Sequence, residues 1–234
     1  MRTVTDRVAN GYSRAFFAAA ALAAPSARPR ALSLPVVWAC ALDTIDALGL
    51  EAVEAVARDD DAERLDLLAG AGFVGGDDRY GLMWMGVEDR PAVARLPSGF
   101  VLVDPADETS GPHPMRRRSG EAVEARLRQC SLYDPALDLA VQAPDGETAG
   151  YALFWFDPVT EVGLVEPMRV EDAHQRRGLA RAMLTAGLAR LAKRGARRLK
   201  VSYATDAARA LYAGAGFRVT STSRSYRWQR SFAN

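Results

Sequence analysis

Cysteine and histidine are scarce in this chain of 234 residues, which has two of each. Cys40 and Cys130 stand far apart in apolar or helical surroundings. That excludes a disulfide framework and a cysteine metal cluster, and it leaves two buried or free thiols in a reducing compartment. His113, in a proline-rich linker, and His174, in a glycine-containing turn, are too few ligands for zinc, so no metal is expected. Net charge is nearly absent as well: a formal +1 gives no global attraction to nucleic acid. No hydrophobic run is long enough to cross a bilayer, since the alanine-rich stretch from Ala15 to Ala24 is about half the length required. That stretch also lacks the basic start and leucine-rich core of a signal peptide, so no membrane partner and a cytoplasmic location are expected. What is present is ordinary globular composition, 49% hydrophobic and 25% charged, in a chain long enough for one large domain or two small ones.

The chain contains a half-repeat. Leu67-Leu68-Ala69-Gly70-Ala71-Gly72-Phe73 is echoed by Leu211-Tyr212-Ala213-Gly214-Ala215-Gly216-Phe217. The surroundings agree in kind: an apolar helical pattern, a glycine (Gly49, Gly195), an alternating strand (Glu51 to Ala57, Arg197 to Tyr203), a short helix, then an aromatic strand. Proline-bearing irregular chain follows the first copy from Asp89 to Pro97 and recurs from Asp104 to Pro114, which places a domain boundary between residues 92 and 93. Beyond it the pattern predicts a strand at Phe100 to Val103 and a helix from Arg118 to Cys130. A hairpin is predicted across Pro144-Asp145-Gly146-Glu147, then a strand from Gly163 to Val170 and a long amphipathic helix from Arg177 to Arg194. This is a mixed α/β layer with one right-handed parallel crossover.

Arginine and lysine concentrate between Arg169 and Lys200. Within that stretch a strand, a basic glycine-bearing turn and a helix follow in order, an arrangement that presents free backbone N–H groups and a positive dipole end to an anion. Gly178 allows close backbone approach, Ala180 is small, and Arg176 and Arg177 supply charge-assisted hydrogen bonds. The turn is neither a Walker loop, lacking Gly-Lys-Ser/Thr, nor a dinucleotide fingerprint, lacking three spaced glycines. Physical reasoning alone stops at a phosphate or pyrophosphate site.

Gln175-Arg176-Arg177-Gly178-Leu179-Ala180 resembles the hallmark of the GNAT acetyltransferase superfamily, Gln/Arg-x-x-Gly-x-Gly/Ala between the fourth strand and the next helix. About thirty residues on, Ala208-Arg209-Ala210-Leu211-Tyr212-Ala213-Gly214-Ala215-Gly216-Phe217 is similar to that family's Ala-x-x-Leu-Tyr-x-x-x-Gly-Phe. The resemblance covers roughly residues 97 to 230. It implies a central mixed sheet with flanking helices, and acetyl-coenzyme A as the acyl donor. The backbone of Met168, Arg169 and Val170 would hold the pantetheine arm, and the turn from Gln175 through Arg176, Arg177, Gly178 and Leu179 to Ala180 would hold the pyrophosphate. Tyr212 would protonate the departing thiolate. Thr205 stands where many members carry an asparagine, which puts a side-chain contact to the cofactor in doubt. A base is also needed, and Glu166 is preferred over Glu161 because it shares strand parity with Met168 and Val170. Trp155 and Phe156 are either pocket lining or core.

The implied reaction is direct attack by a primary amine on the thioester in a ternary complex, with no metal and no covalent intermediate. A non-catalytic acyl-coenzyme A-binding regulatory module is the competing reading. Nucleic-acid binding through the arginines lacks interleaved aromatic residues. Residues 1–92 are expected to form a smaller α/β half-domain, a degenerate GNAT-like copy with no anion turn and Leu68 in place of Tyr212. That copy is expected to cover the catalytic domain at 93–234 and to offer a homodimer contact.

Overall fold

The computed structural model describes residues 34–104 and 112–230. The sequence also leads one to expect a helix around Val8 to Ala24 packing on the first half; that segment and most of the linker from Asp104 to Pro114 lie outside the described residues. The chain divides into two compact units, one of residues 54–228 and one of the flanking segments. In the flanking unit, helix α1 (Leu34–Ala47) ends near Asp46, whose carboxylate takes the Arg230 guanidinium at 2.9 Å.

The larger unit is built on an eight-stranded sheet in the order β1-β8-β2-β7-β6-β5-β4-β3. Its strands are β1 (Ala52–Arg58), β2 (Val74–Gly86), β3 (Val101–Val103), β4 (Asp138–Gln142), β5 (Thr148–Asp157), β6 (Val162–Val170), β7 (Arg198–Tyr203) and β8 (Arg218–Gln229). Helix α2 (Ala62–Gly70) links β1 to β2, and α6 (Asp206–Gly214) links β7 to β8. Helices α3 (Arg116–Ser119) and α4 (Glu121–Gln129) precede β4, and α5 (Leu179–Lys193) joins β6 to its parallel neighbour β7. This is the mixed α/β architecture expected from the sequence. The division placed between residues 92 and 93 lies inside the larger unit, because β2 pairs with β7 on one side and β8 on the other.

Local chemistry accounts for the element ends. The β4–β5 hairpin turns at Gly146, with φ of 84°, and the Asp145 carboxylate accepts from the Glu147 amide at 3.0 Å. The helix expected from Arg118 to Cys130 is split, because Gly120 adopts φ of 83° between α3 and α4. Helix α5 closes on Gly195, where the Ala196 amide reaches back to the Leu191 carbonyl at 3.1 Å.

One face of the sheet packs on α5 and α6. Leu179, Met183, Leu184, Leu188 and Leu191 meet Leu139, Val141, Phe154, Val165, Leu199 and Val201, all buried. Each such side chain contributes about 1.5–3 kcal/mol by leaving water. Contact is closest at Gly187, where a Cβ would fall 2.0 Å from the Phe154 ring. On the other face, Met115 and Leu127 cover Ala140, Tyr151 and Leu153.

Candidate functional site

Strands β6 and β7 pair from Val162↔Arg198 to Val165↔Val201 and then part. Beyond that point β6 still pairs with β5, through Ala152↔Met168, Tyr151↔Arg169 and Gly150↔Val170. One edge of β6 from Glu166 to Val170 is therefore left without a strand partner, presenting backbone donors and acceptors toward the gap. The register with β5 shifts at the same place: Phe154↔Val165 is followed by Ala152↔Met168, so three steps on β6 answer two on β5. Pro167, which has no N–H to give the ladder, sits in that bulge. The shift breaks the alternation between Glu166 and Met168, so the parity that singled out Glu166 in the sequence does not hold across the bulge.

At the end of β6 the chain makes a short 3-10 turn, Asp172–His174, and enters α5. The Gln175 amide donates to the Asp172 carboxylate at 2.9 Å and to the Val170 carbonyl at 3.3 Å. Arg169 donates to the same carboxylate at 3.1 Å. These bonds tie the turn to the strand end. Arg176 and Gly178 both have positive φ, 62° and 82°. Open space surrounds the Gly178 Cβ position, so glycine is required there by conformation rather than by crowding. No side chain caps α5 and no acid stands in its first turn. Its first N–H groups and the positive end of its dipole face outward beside exposed Arg176 and Arg177. Leu179 is fully buried, which leaves only its backbone for a ligand; Ala180 is half-buried.

Tyr212 is buried on α6 against the edge of Phe217, with ring centroids 6.2 Å apart. Burial, then the charge of Glu166, push its phenol well above the usual value. Glu166 is itself raised to about 6 by burial. The structure thus brings Glu166 and Tyr212 into electrostatic contact where β6 leaves β7. The Thr205 hydroxyl accepts from the Ala208 amide at 3.2 Å and caps α6. Glu161 lies at the opposite end of β6, paired with Arg197 at 2.7 Å.

The acetyltransferase (GNAT) family model matches residues 105–217. That stretch, a little under half of the chain, is similar to a GNAT domain. Solved structures with the same fold include a GCN5-related N-acetyltransferase from Sphaerobacter thermophilus, with TM-score 0.60 and 21% identity over 76% of this chain and 59% of that one. A tandem GNAT protein from the clavulanic acid biosynthesis pathway aligns with TM-score 0.67 and 16% identity over 88% of this chain and 73% of that one. A GCN5-related N-acetyltransferase from Kribbella flavida gives 0.53 and 19% over 82% and 74%. The chain therefore spans little more than half the length of the Sphaerobacter protein. No curated protein matches it significantly in sequence. Among the described residues no helix is long and apolar enough to cross a membrane.

Two features of the matched stretch are not legible in the sequence. Trp155, read there as lining or core, donates its indole N–H to the Glu166 carbonyl on the bulge. His113, read as an ordinary loop residue, is buried: its Nδ1 accepts from the Met115 amide at 3.0 Å and its Nε2 faces the Asp138 carboxylate at 3.0 Å. The Tyr133 hydroxyl donates to the same carboxylate at 2.8 Å. This cluster fastens the start of α3 to β4. Its one sequence signal was an acid, Asp138, inside the apolar run Leu137-Asp138-Leu139.

Proposed function

We propose that this chain is an N-acetyltransferase that moves the acetyl group of acetyl-coenzyme A to a primary amine by direct attack. The reading is carried by one observation: a carboxyl raised to about 6 by burial and a buried phenol that feels its charge stand beside the unpaired edge of β6, next to an open helix N-terminus. The backbone of Met168, Arg169 and Val170 receives the pantetheine arm in the gap that β7 leaves. The pyrophosphate lies against the backbone from Gln175 to Ala180, with Arg176 and Arg177 as its cations. Thr205, already engaged as a cap, contributes at most its remaining lone pair.

The amine nitrogen attacks the thioester carbon, forming the N–C bond, and the C–S bond breaks as the tetrahedral intermediate collapses. Glu166 takes the proton that the nitrogen loses. Tyr212 gives its proton to the departing sulfur, and solvent returns a proton from the acid form of Glu166 to the phenolate. A base poised near pH 6 is mostly ionised at neutral pH, and an acid must stay protonated there, as burial ensures for Tyr212. A module that only sensed acyl-coenzyme A would need neither group. In a thiol-release assay, Tyr212→Phe is expected to lower kcat by roughly 10²–10⁴-fold with coenzyme A affinity unchanged. Equal turnover in the two proteins would remove Tyr212 from this role.

We also infer that residues 37–88 are a copy without activity. Both copies run strand, nine-residue helix, strand. In each, the phenylalanine amide returns to the helix, Phe73 to the Leu68 carbonyl at 3.0 Å and Phe217 to the Tyr212 carbonyl at 3.1 Å. Leu68, buried in the place of Tyr212, offers no proton. The free thiols Cys40 and Cys130 suit a cytoplasmic protein.

A further inference from the structure

A single lateral row crosses five strands of the sheet. Trp155 on β5 pairs with Leu164 on β6, Leu164 with Lys200 on β7, Lys200 with Trp84 on β2, and Trp84 with Arg218 on β8. Neighbours along these strands, Phe154, Val165, Val201 and Met83, are buried under the helices. By alternation the row lies on the opposite face, where Trp155, Leu164, Lys200 and Trp84 are half-exposed. It reads aromatic, aliphatic, cation, aromatic, cation.

The row starts beside the reacting groups. Glu166 follows Leu164 by two residues, and the indole of Trp155 is bonded to the Glu166 carbonyl. From Glu166 to Lys200 is one strand across and two residues along, roughly 8 Å between backbone positions. Lys200 stands 5.8 Å from the centre of the Trp84 ring, with the Arg198 guanidinium at 4.6 Å from the same ring. Arg197 is neutralised by Glu161, but among the described residues Arg198, Lys200 and Arg218 make no ion pair. The acids of this region, Glu88 and Asp89, border the groove beyond Gly86, which pairs with Arg198; they lie further from Glu166 than Lys200 does.

A cation on an aromatic floor, one strand from the base, is a fixed anchor for negative charge. We propose that the acceptor carries an anionic group, a carboxylate or a phosphate, roughly 8 Å from its reacting amine, and that Lys200 binds it. The assignment rests on the transfer reaction at Glu166 and Tyr212 and names the substrate class for that site. It excludes simple alkylamines as good acceptors. It also excludes α-amino acids reacting at the α-amine, whose two charges are too close together to reach both groups.

The test uses three probes with the full chain and acetyl-coenzyme A: 6-aminohexanoate, whose extended length roughly matches the separation, hexylamine, which lacks the anion, and glycine, which is too short. Thiol release gives kcat/KM, and calorimetry in the presence of coenzyme A gives acceptor affinity. 6-Aminohexanoate is expected to exceed hexylamine and glycine by about tenfold or more in kcat/KM, chiefly through KM. Lys200→Gln should erase the advantage over hexylamine, and Lys200→Arg should keep it. Equal use of 6-aminohexanoate and hexylamine by the wild type would overturn the anchor while leaving the transfer reaction intact. So would a preference that survives Lys200→Gln. Selective binding of 6-aminohexanoate without turnover of any amine would support the anchor and sink the transfer reaction. No binding and no turnover with any probe would overturn both.

Discussion

Glu166→Gln separates chemistry from stability, because the two respond with opposite sign. The carboxyl is raised from 4.5 to about 6 by burial. At about 1.36 kcal/mol per pKa unit, this corresponds to about 2 kcal/mol of preference for the neutral form in the folded state. Since the folded value lies above the unfolded one, the fold is favoured below the unfolded value and loses that contribution as pH rises from about 4.5 through 6. At pH 8 the ionised Glu166 therefore costs about 2 kcal/mol, and glutamine, neutral and of the same shape, should recover up to about that amount in urea unfolding. Activity should move the other way, falling by roughly 10²–10⁴-fold at pH 8. The wild-type profile carries a second signature. The acceptor amine must itself be deprotonated, so log kcat/KM rises with a slope of about one far above pH 6, and ionisation of Glu166 adds about one more unit of slope below it. A profile with no change of slope near 6, or a glutamine variant that is both active and no more stable at pH 8, would refute the assignment of Glu166 as base.

Two substitutions test the scaffold around that site. Gly178→Glu places a side chain at φ of 82° and a negative charge at the anion turn; coenzyme A binding by calorimetry should fall below detection, and unchanged binding would mean that the phosphates lie elsewhere. Gly187→Ala sets helix propensity, about 1 kcal/mol in favour of alanine, against a methyl group 2.0 Å from the Phe154 ring. Overpacking costs about 1–3 kcal/mol, so urea unfolding should register a net loss of stability, and a gain would mean that the ring moves freely.

The geometry of the candidate site was legible in the sequence where it is local and hidden where it depends on pairing between distant strands. The anion turn is contiguous, and its glycine, its arginines and the helix after it can be read in one pass. The hairpin at Asp145-Gly146 is equally local. The parity of Glu166 with Met168 is a long-range matter: it assumes an unbroken ladder, and Pro167 with the extra residue on β6 interrupts it. The bond from Trp155 to the Glu166 carbonyl arises from that interruption, so it could not be read before the bulge was known. Gly120 was visible, yet apolar spacing alone carried the expected helix straight through it. His113 looked like a linker residue because its burial is created by Asp138 and Tyr133, which lie 25 and 20 positions further on.

The pentapeptide Ala-Gly-Ala-Gly-Phe has a structural explanation that is independent of catalysis. In both copies the second glycine has positive φ, 80° at Gly72 and 103° at Gly216, and its amide returns to the alanine three residues back. Glycine followed by an apolar residue at a helix C-terminus is what this closure requires, and phenylalanine then starts the next strand. The motif therefore specifies how a helix hands over to a strand. What distinguishes the copies is position 212 against 68 and what precedes them. Before β7 come a strand with an unpaired edge, a glycine turn and a helix N-terminus; before β1 comes α1, and no Gln/Arg-x-x-Gly-x-Gly/Ala occurs ahead of residue 90. The two last strands nevertheless interleave, β8 between β1 and β2, and β2 between β8 and β7. Trp84↔Arg218, shifted by the 144-residue offset of the repeat and with strands exchanged, becomes Trp228 opposite Val74, one residue from the observed Val74↔Arg227. A strand inserted beside β7 in this way supplies Trp84 to the face that Lys200 occupies. If the acceptor lies along that row as proposed, Trp84→Ala should weaken 6-aminohexanoate binding while leaving coenzyme A affinity unchanged; loss of both would mean that β2 acts only by holding β7 in place.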